Sequence, residues 1–224
     1  MTVVYFIRHG QASFGSDDYD RLSETGIRQA AIIGEHLAGG LSAAVSGCLR
    51  RQRDTAHHAL AAAGGAVDAT ASAAFDEYRP AELLKAYLPA IQAKDDRIAA
   101  AGTALTENPR LYVEALRQAT RLWVDGVSGP AGETWPDFRR RVGEGLEATV
   151  AGRAKDDRVA VFTSGGVIAV ILGQILGLSS ERIFDLNWRV YNASISEIHF
   201  GRSGFAMVGF NAIGHLPREM VTLW

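Results

Sequence analysis

Cysteine is nearly missing from this chain: Cys48 is the one instance in 224 residues. That excludes an internal disulfide and a cysteine-based metal cluster, and it suits a reducing compartment. Long apolar runs are missing too. No stretch approaches the roughly 20 residues of a membrane-spanning helix, and the run that ends at Ile7 is too short for the core of a secretory leader. A cytoplasmic protein with no membrane partner is expected. Charge of one sign is not concentrated anywhere. Lys and Arg total 23 against 25 Asp and Glu, a net charge of −2, so neither DNA nor RNA is an expected partner. Internal repeats and low-complexity linkers are also lacking. What is present, 47% hydrophobic residues against 21% charged, is the balance of an ordinary globular protein, which excludes a disordered chain and a coiled coil. At about 100–200 residues per domain, the length fits a single domain over residues 1–224.

Val3-Val4-Tyr5-Phe6-Ile7 is apolar without alternation, which predicts a strand covered on both faces in the middle of a sheet. A polar loop over residues 11–21 follows, then a helical pattern from Ile27 to Leu37 that stops at Gly39-Gly40. Ala43-Ala44-Val45 reads as a weak second strand and Arg51 to Ala63 as a helix ended by Gly64-Gly65, while the Ala-rich segment 59–74 shows little further pattern. From Glu82 to about Gly152 the periodicity is helical, with stretches from Arg110 to Val127 and from Phe138 to Val150. A helical cap over roughly residues 80–152, inserted between strands, is the expectation. Val159-Ala160-Val161-Phe162 is a second buried strand and Val167 to Leu176 an apolar helix. Ser194 to Phe200 and Phe205 to Phe210 form a hairpin around Gly201-Arg202-Ser203-Gly204. Early alternation of strand and helix with a late hairpin predicts the α/β class: a three-layer α/β/α sandwich on a mostly parallel mixed sheet.

In open α/β sheets ligands bind beyond the carboxyl ends of the strands, and Arg8-His9-Gly10 falls at such an end. Arg8 offers a fork of donors for phosphate oxygens. His9 offers a nitrogen nucleophile, and Gly10 lets backbone N–H groups approach an anion. A phosphoryl group suits this combination, although the tripeptide taken alone reads more readily as a solvated strand end. No His, Asp and Glu cluster has metal-ligand spacing, so no metal and no other cofactor is expected.

Further segments extend the pattern. Tyr5-Phe6-Ile7-Arg8-His9-Gly10 precedes Leu22-Ser23-Glu24-Thr25-Gly26-Ile27-Arg28-Gln29-Ala30, and Gly47-Cys48-Leu49-Arg50-Arg51-Gln52-Arg53-Asp54-Thr55-Ala56 comes next. Phe75-Asp76-Glu77-Tyr78 and Val161-Phe162-Thr163-Ser164-Gly165-Gly166 complete the series. In this order they resemble the signature of the histidine phosphatase superfamily, the phosphoglycerate-mutase-like proteins, over nearly the whole chain. The resemblance implies His9 as nucleophile, Arg8, Gly10 and Arg51 around the phosphate, and Glu77 as proton donor, with Asp76 as its fallback. Arg51, rather than Arg50 or Arg53, has the family's spacing to Thr55-Ala56. Gln11 and Ser13 are further candidates for the pocket lining.

One element departs from the family pattern, which usually has a second histidine where this chain has Ser164. A hydroxyl offers one donor, a shorter reach and no positive charge, and losing one preorganised donor costs about 10²–10³ in rate. Ser164 and Gly165, at a helix start, remain phosphate ligands by position. His36, His57, His58 and His199 have no motif around them, while His215 stands in a tail similar to family C-termini. Tyr78-Arg79-Pro80-Ala81-Glu82 lacks the Tyr-Gly run found after the acid in true mutases. The implied function is metal-independent hydrolysis of a small-molecule phosphate ester, a monoester, through a phosphohistidine on His9. Ser164 leaves open a phosphate-ligand binding protein or a weakly active pseudoenzyme, and a phosphoglycerate mutase is the poorer match. A homodimer is compatible with the sequence; Trp123, Trp135, Trp188 and Trp224 offer either aromatic surface for it or core.

Overall fold

The structure is a computed structural model that describes residues 1–13, 20–127 and 132–223. Trp224 and residues 14–19 of the expected loop lie outside the described residues. The chain divides into two compact units, one made of Met1–Glu77 with Arg141–Trp224 and one of Tyr78–Arg140.

In the first unit, β1 (Thr2–Arg8) buries Val4, Phe6 and Ile7 completely, as its unbroken apolar run requires. Helix α1 (Glu24–Leu37) starts ahead of Ile27 because Ser23 caps it, its Oγ accepting the Gly26 N–H at 3.0 Å. Its buried residues Gly26, Gln29, Ala30, Ile33, Gly34 and Leu37 recur at helical spacing. Next come β2 (Ala43–Ser46), α2 (Arg50–Ala62) and β3 (Ala69–Ala71). Strand β3 sits inside the Ala-rich stretch that shows no pattern in the sequence: three residues are too few to display a period, and its pairing with β2 makes it a strand.

The second unit holds α3 (Pro80–Gln92), α4 (Asp96–Ala101) and α5 (Pro109–Val124). Helix α5 ends before Val127 because Gly126 takes a φ of +73°. Tyr78, Trp123, Trp135 and Phe138 form one aromatic cluster, with ring centroids 5.1 Å apart for Tyr78 and Trp123 and 5.3 Å for Trp123 and Trp135. Both of these tryptophans are buried in this core, whereas Trp188 is half-buried. Helix α6 (Trp135–Val150) starts at Trp135, ahead of Phe138, with Pro136 in its first turn.

The chain continues through β4 (Arg158–Thr163), α7 (Gly165–Leu176), α8 (Ser180–Asn187), β5 (Ile195–Gly201) and β6 (Gly204–Ala212). The six strands form one sheet in the order β3-β2-β4-β1-β5-β6. Strands β1 to β4 pair in parallel, β5 pairs antiparallel with β1, and β6 pairs antiparallel with β5, so β5 alone of the six runs opposite to the rest and the fold is α/β with a mixed, mostly parallel sheet. On one face Ile7, Ala44, Ala160, Phe162 and Ile195 pack with Ile33, Leu37, Ala59 and Leu60 of α1 and α2. Phe6 points the other way and meets Phe75 edge to face at 6.1 Å, where α6 approaches the same ring through Gly145. Helix α7 is buried throughout residues Gly165–Gly173, as a helix apolar on all sides must be.

Candidate active site

The carboxyl ends of β2, β4 and β1 lie side by side, with Ser46 opposite Phe162 and Arg8 opposite Thr163. His9, the residue after β1, is buried. Its N–H donates to Thr163 O at 2.8 Å, and its carbonyl accepts the Ala193 N–H at 3.2 Å. The ring has one orientation: Nδ1 lies 2.7 Å from Gly10 O. A carbonyl can only accept, so Nδ1 carries the hydrogen and Nε2 the lone pair. That lone pair accepts the Arg51 Nε–H at 3.2 Å. Burial first, then the positive charges of Arg51 and Arg8, hold His9 well below the usual imidazole range, against a smaller upward pull from the Gly10 carbonyl. The ring is therefore neutral at pH 7.

The motif letters around His9 are used to seat its loop. A Cβ on Gly10 would collide with Gly26 O, and one on Gly26 would collide with Gln11 O, so the loop and the start of α1 approach as only two glycines allow. Gly10 N–H donates to Thr55 Oγ1 at 3.0 Å. Gln11 N–H donates to Gln29 Oε1 at 2.7 Å, and Gln29 Nε2 donates to Met220 O at 2.7 Å and Thr222 Oγ1 at 3.0 Å. The Gln11 side chain accepts from Ser23 Oγ at 2.9 Å, at the α1 cap.

Arg8 is buried and its Nη1 donates to Val190 O and, at 3.1 Å, to Leu223 O. Of the three neighbouring arginines on α2, Arg51 is the buried one. Arg50 pairs with Asp54 at 3.4 Å and is half-exposed, while Arg53 is exposed. Arg51 is aimed by His9 through Nε and by Asp20 through Nη1 at 2.6 Å. Asp20 Oδ2 also accepts the Arg50 N–H at 2.7 Å. It thereby caps an α2 whose N-cap, Leu49, has no oxygen to offer.

Glu77 reaches the start of α7, its Oε2 accepting the Gly166 N–H at 2.8 Å. Asp76 is turned elsewhere, to the Cys48 N–H at 2.5 Å. Ser164 is buried between β4 and α7 and accepts Gln52 Nε2–H at 2.8 Å. Gly165 follows as the first, buried residue of α7. The structure thus brings His9, Gly10, Arg8, Arg51 and Ser164 to adjacent strand ends, with Glu77 on the amide next to Gly165. The remaining histidines are engaged elsewhere: His36 stacks on His215 at 5.2 Å, His57 meets His58 edge to face at 5.3 Å, and His199 bonds Glu197 at 2.6 Å. Two residues of this cluster, Asp20 and Gln52, are not among the candidates that the motifs single out. Asp20 had one available signal, an acid just before Leu22-Ser23; Gln52 had none.

A family model described as the histidine phosphatase superfamily (branch 1) matches residues 4–117 and 100–213. A search of curated proteins found no match. Solved structures with the same fold include a phosphoserine phosphatase mutant of Entamoeba histolytica in complex with phosphoserine, at 16% identity and a TM-score of 0.67 over 97% of this chain and 100% of that one. Bacillus stearothermophilus YhfR aligns with a TM-score of 0.69 at 18% identity, over 96% of this chain and 99% of its own. A phosphoglycerate mutase of Bacillus anthracis aligns with a TM-score of 0.64 at 18% identity, covering 96% and 94% of the two chains.

Proposed function

Because this chain belongs to the histidine phosphatase superfamily, we propose that it hydrolyses a small-molecule phosphate monoester through a phosphohistidine on His9, with no metal ion or other cofactor. The observation that carries this reading is the state of His9, a neutral ring with Nδ1–H on Gly10 O and Nε2 turned to Arg51. Nε2 attacks phosphorus in line, and the P–N bond forms as the ester P–O bond breaks. Glu77, entering protonated, gives its proton to the leaving alkoxide. Arg8 and Arg51 spread the negative charge of the transferring group, with Gly10, Ser164 and Gly165 lining it. Water then attacks phosphorus while the Glu77 carboxylate takes its proton. The P–N bond breaks, leaving phosphate and neutral His9. Phosphoryl transfer asks mainly for positioning and charge stabilisation, which two guanidinium groups supply here.

Hydrolysis of an aryl phosphate in the presence of a chelator tests the reading, with phosphoserine, the ligand of the amoebal relative, as the first physiological candidate. Turnover is expected in the wild type and loss of it in His9→Ala, together with loss of an acid-labile phosphoprotein in rapid quench. Turnover that survives His9→Ala overturns the mechanism. Ser164 in place of an imidazole favours a second reading, a pocket that binds a phosphate ligand without turning it over. No hydrolysis across a panel of esters, with a melting temperature raised by vanadate, selects it.

A further inference from the structure

Gln52 is fully buried on the first turn of α2, and its carboxamide has one possible orientation. Nε2 donates to Phe75 O at 3.1 Å and to Ser164 Oγ at 2.8 Å, while Oε1 accepts the Leu49 N–H at 3.3 Å. Turning the amide over would set oxygen against a carbonyl and N–H against N–H. The Phe75 carbonyl is itself held by Thr163 Oγ1–H at 2.7 Å. A Cβ on Gly47 would overlap Gln52 Oε1, so the backbone leaves room for this side chain in this pose.

The polarity of the Ser164 hydroxyl follows. Since Gln52 donates to it, Oγ is an acceptor there, and its own hydrogen must go to another acceptor. Ser164 is the N-cap residue of α7 but makes no capping bond; the Gly166 N–H that a cap would take goes to Glu77. Consecutive residues of α2 address consecutive strand ends. Arg51 reaches His9 after β1, and Gln52 reaches Ser164 after β4, with His9 N–H on Thr163 O tying the two ends together.

We propose that Gln52 is a positioning residue that turns the Ser164 hydroxyl hydrogen toward the transferring phosphoryl group, so that the pair supplies a neutral, fixed donor where an imidazole is missing. This rests on the phosphoryl-transfer reading above. The test is a double-mutant cycle in the full-length protein with Gln52→Met, of similar volume but without a donor, and Ser164→Ala, followed by aryl phosphate turnover and by calorimetric titration of vanadate and of inorganic phosphate. Each single variant is expected to lower kcat and vanadate affinity by at least about tenfold, toward the 10²–10³ lost with one preorganised oxyanion donor, while KM and phosphate affinity move less than threefold. In the Ser164→Ala background Gln52→Met is expected to add nothing further. Unchanged kcat and vanadate affinity in Gln52→Met, or effects of the two variants that multiply, overturn the proposal. Gln52→Glu, nearly the same shape but an acceptor, is expected to reproduce Gln52→Met; wild-type kcat in that variant counts against the proposal. If the wild type does not turn over, the vanadate cycle still decides the role of Gln52, and survival of activity in His9→Ala strikes the phosphohistidine reading alone.

Discussion

Asp20 offers the most direct perturbation of the site without touching a residue that would meet phosphate. Its carboxylate has two tasks: Oδ2 takes the Arg50 N–H at the bare start of α2, and Oδ1 takes Arg51 Nη1 at 2.6 Å. The capping task is worth about 1 kcal/mol. The ion pair has a guanidinium side chain that is 9% exposed and a carboxylate that is 35% exposed, which places it above an exposed pair of about 0.2–1 kcal/mol and below a buried one of about 3–5 kcal/mol. Asp20→Ala is therefore expected to cost about 2–3 kcal/mol in total. At about 2–4 °C per kcal/mol for a chain of this size, the melting temperature falls by about 4–12 °C. Asp20→Asn keeps an acceptor for the Arg50 N–H and loses only the charge, so about half that fall is expected. Activity separates the two tasks. Without its carboxylate partner the Arg51 guanidinium loses the charged contact at Nη1 that complements His9 at Nε, so aryl phosphate kcat is expected to drop about tenfold in both variants. KM is not expected to rise, because a negative charge has left the neighbourhood of an anionic substrate. A kcat unchanged in Asp20→Asn, with stability lowered, would show Asp20 to be a helix cap only and would refute its role in aiming Arg51.

Three further outcomes follow from the geometry around His9 and its loop. The downward shift of His9 places the acid limb of kcat/KM, which reports the free enzyme, below the ordinary imidazole value of about 6.5; a limb for His9 above pH 7 in a pH–rate profile contradicts its burial beside two arginines. The same shift has a stability sign: the unfolded chain takes up a proton at His9 that the folded chain refuses, so this contribution to stability is full above about pH 6.5 and is lost as pH falls toward the lower folded value. Denaturant midpoints of wild type and His9→Phe should converge or cross as pH drops from 7 to 5. Gly26→Ala drives a methyl into Gln11 O, and at about 1–3 kcal/mol for overpacking it should lower the melting temperature and depress kcat together, since the displaced backbone adjoins Gly10; unaltered values would show that the loop and α1 can part without consequence.

Much of this site is legible in the sequence where the chemistry is contiguous. Arg8-His9-Gly10 announces itself because a buried strand, a nucleophile and a glycine adjoin along the chain, and Ser23, Gly26 and Gln29 carry the cap, close approach and amide bridge at helical spacing. The choice of Arg51 over Arg50 and Arg53 can be read from the register to Thr55, because one turn of helix sends neighbouring side chains in different directions. Strand β3 was invisible since its three small residues derive their state from a neighbour in the sheet. Helix α8, only eight residues long, has too few turns to show a periodic face.

The sequence by itself determined the class of fold and the family, and it singled out His9 as the candidate nucleophile and Ser164 as the departure from the family pattern, because these depend on residue identity and short-range period. Only the tertiary structure decided how the departure at Ser164 is accommodated. Gln52 and Asp20 reach the site from separate turns and loops, and hydrogen-bond polarity exists only once a donor and an acceptor far apart in the chain face each other. Which way the Ser164 hydroxyl is free to turn and what steadies Arg51 are both consequences of that juxtaposition, made where the parallel strand ends bring distant segments within 3 Å or so.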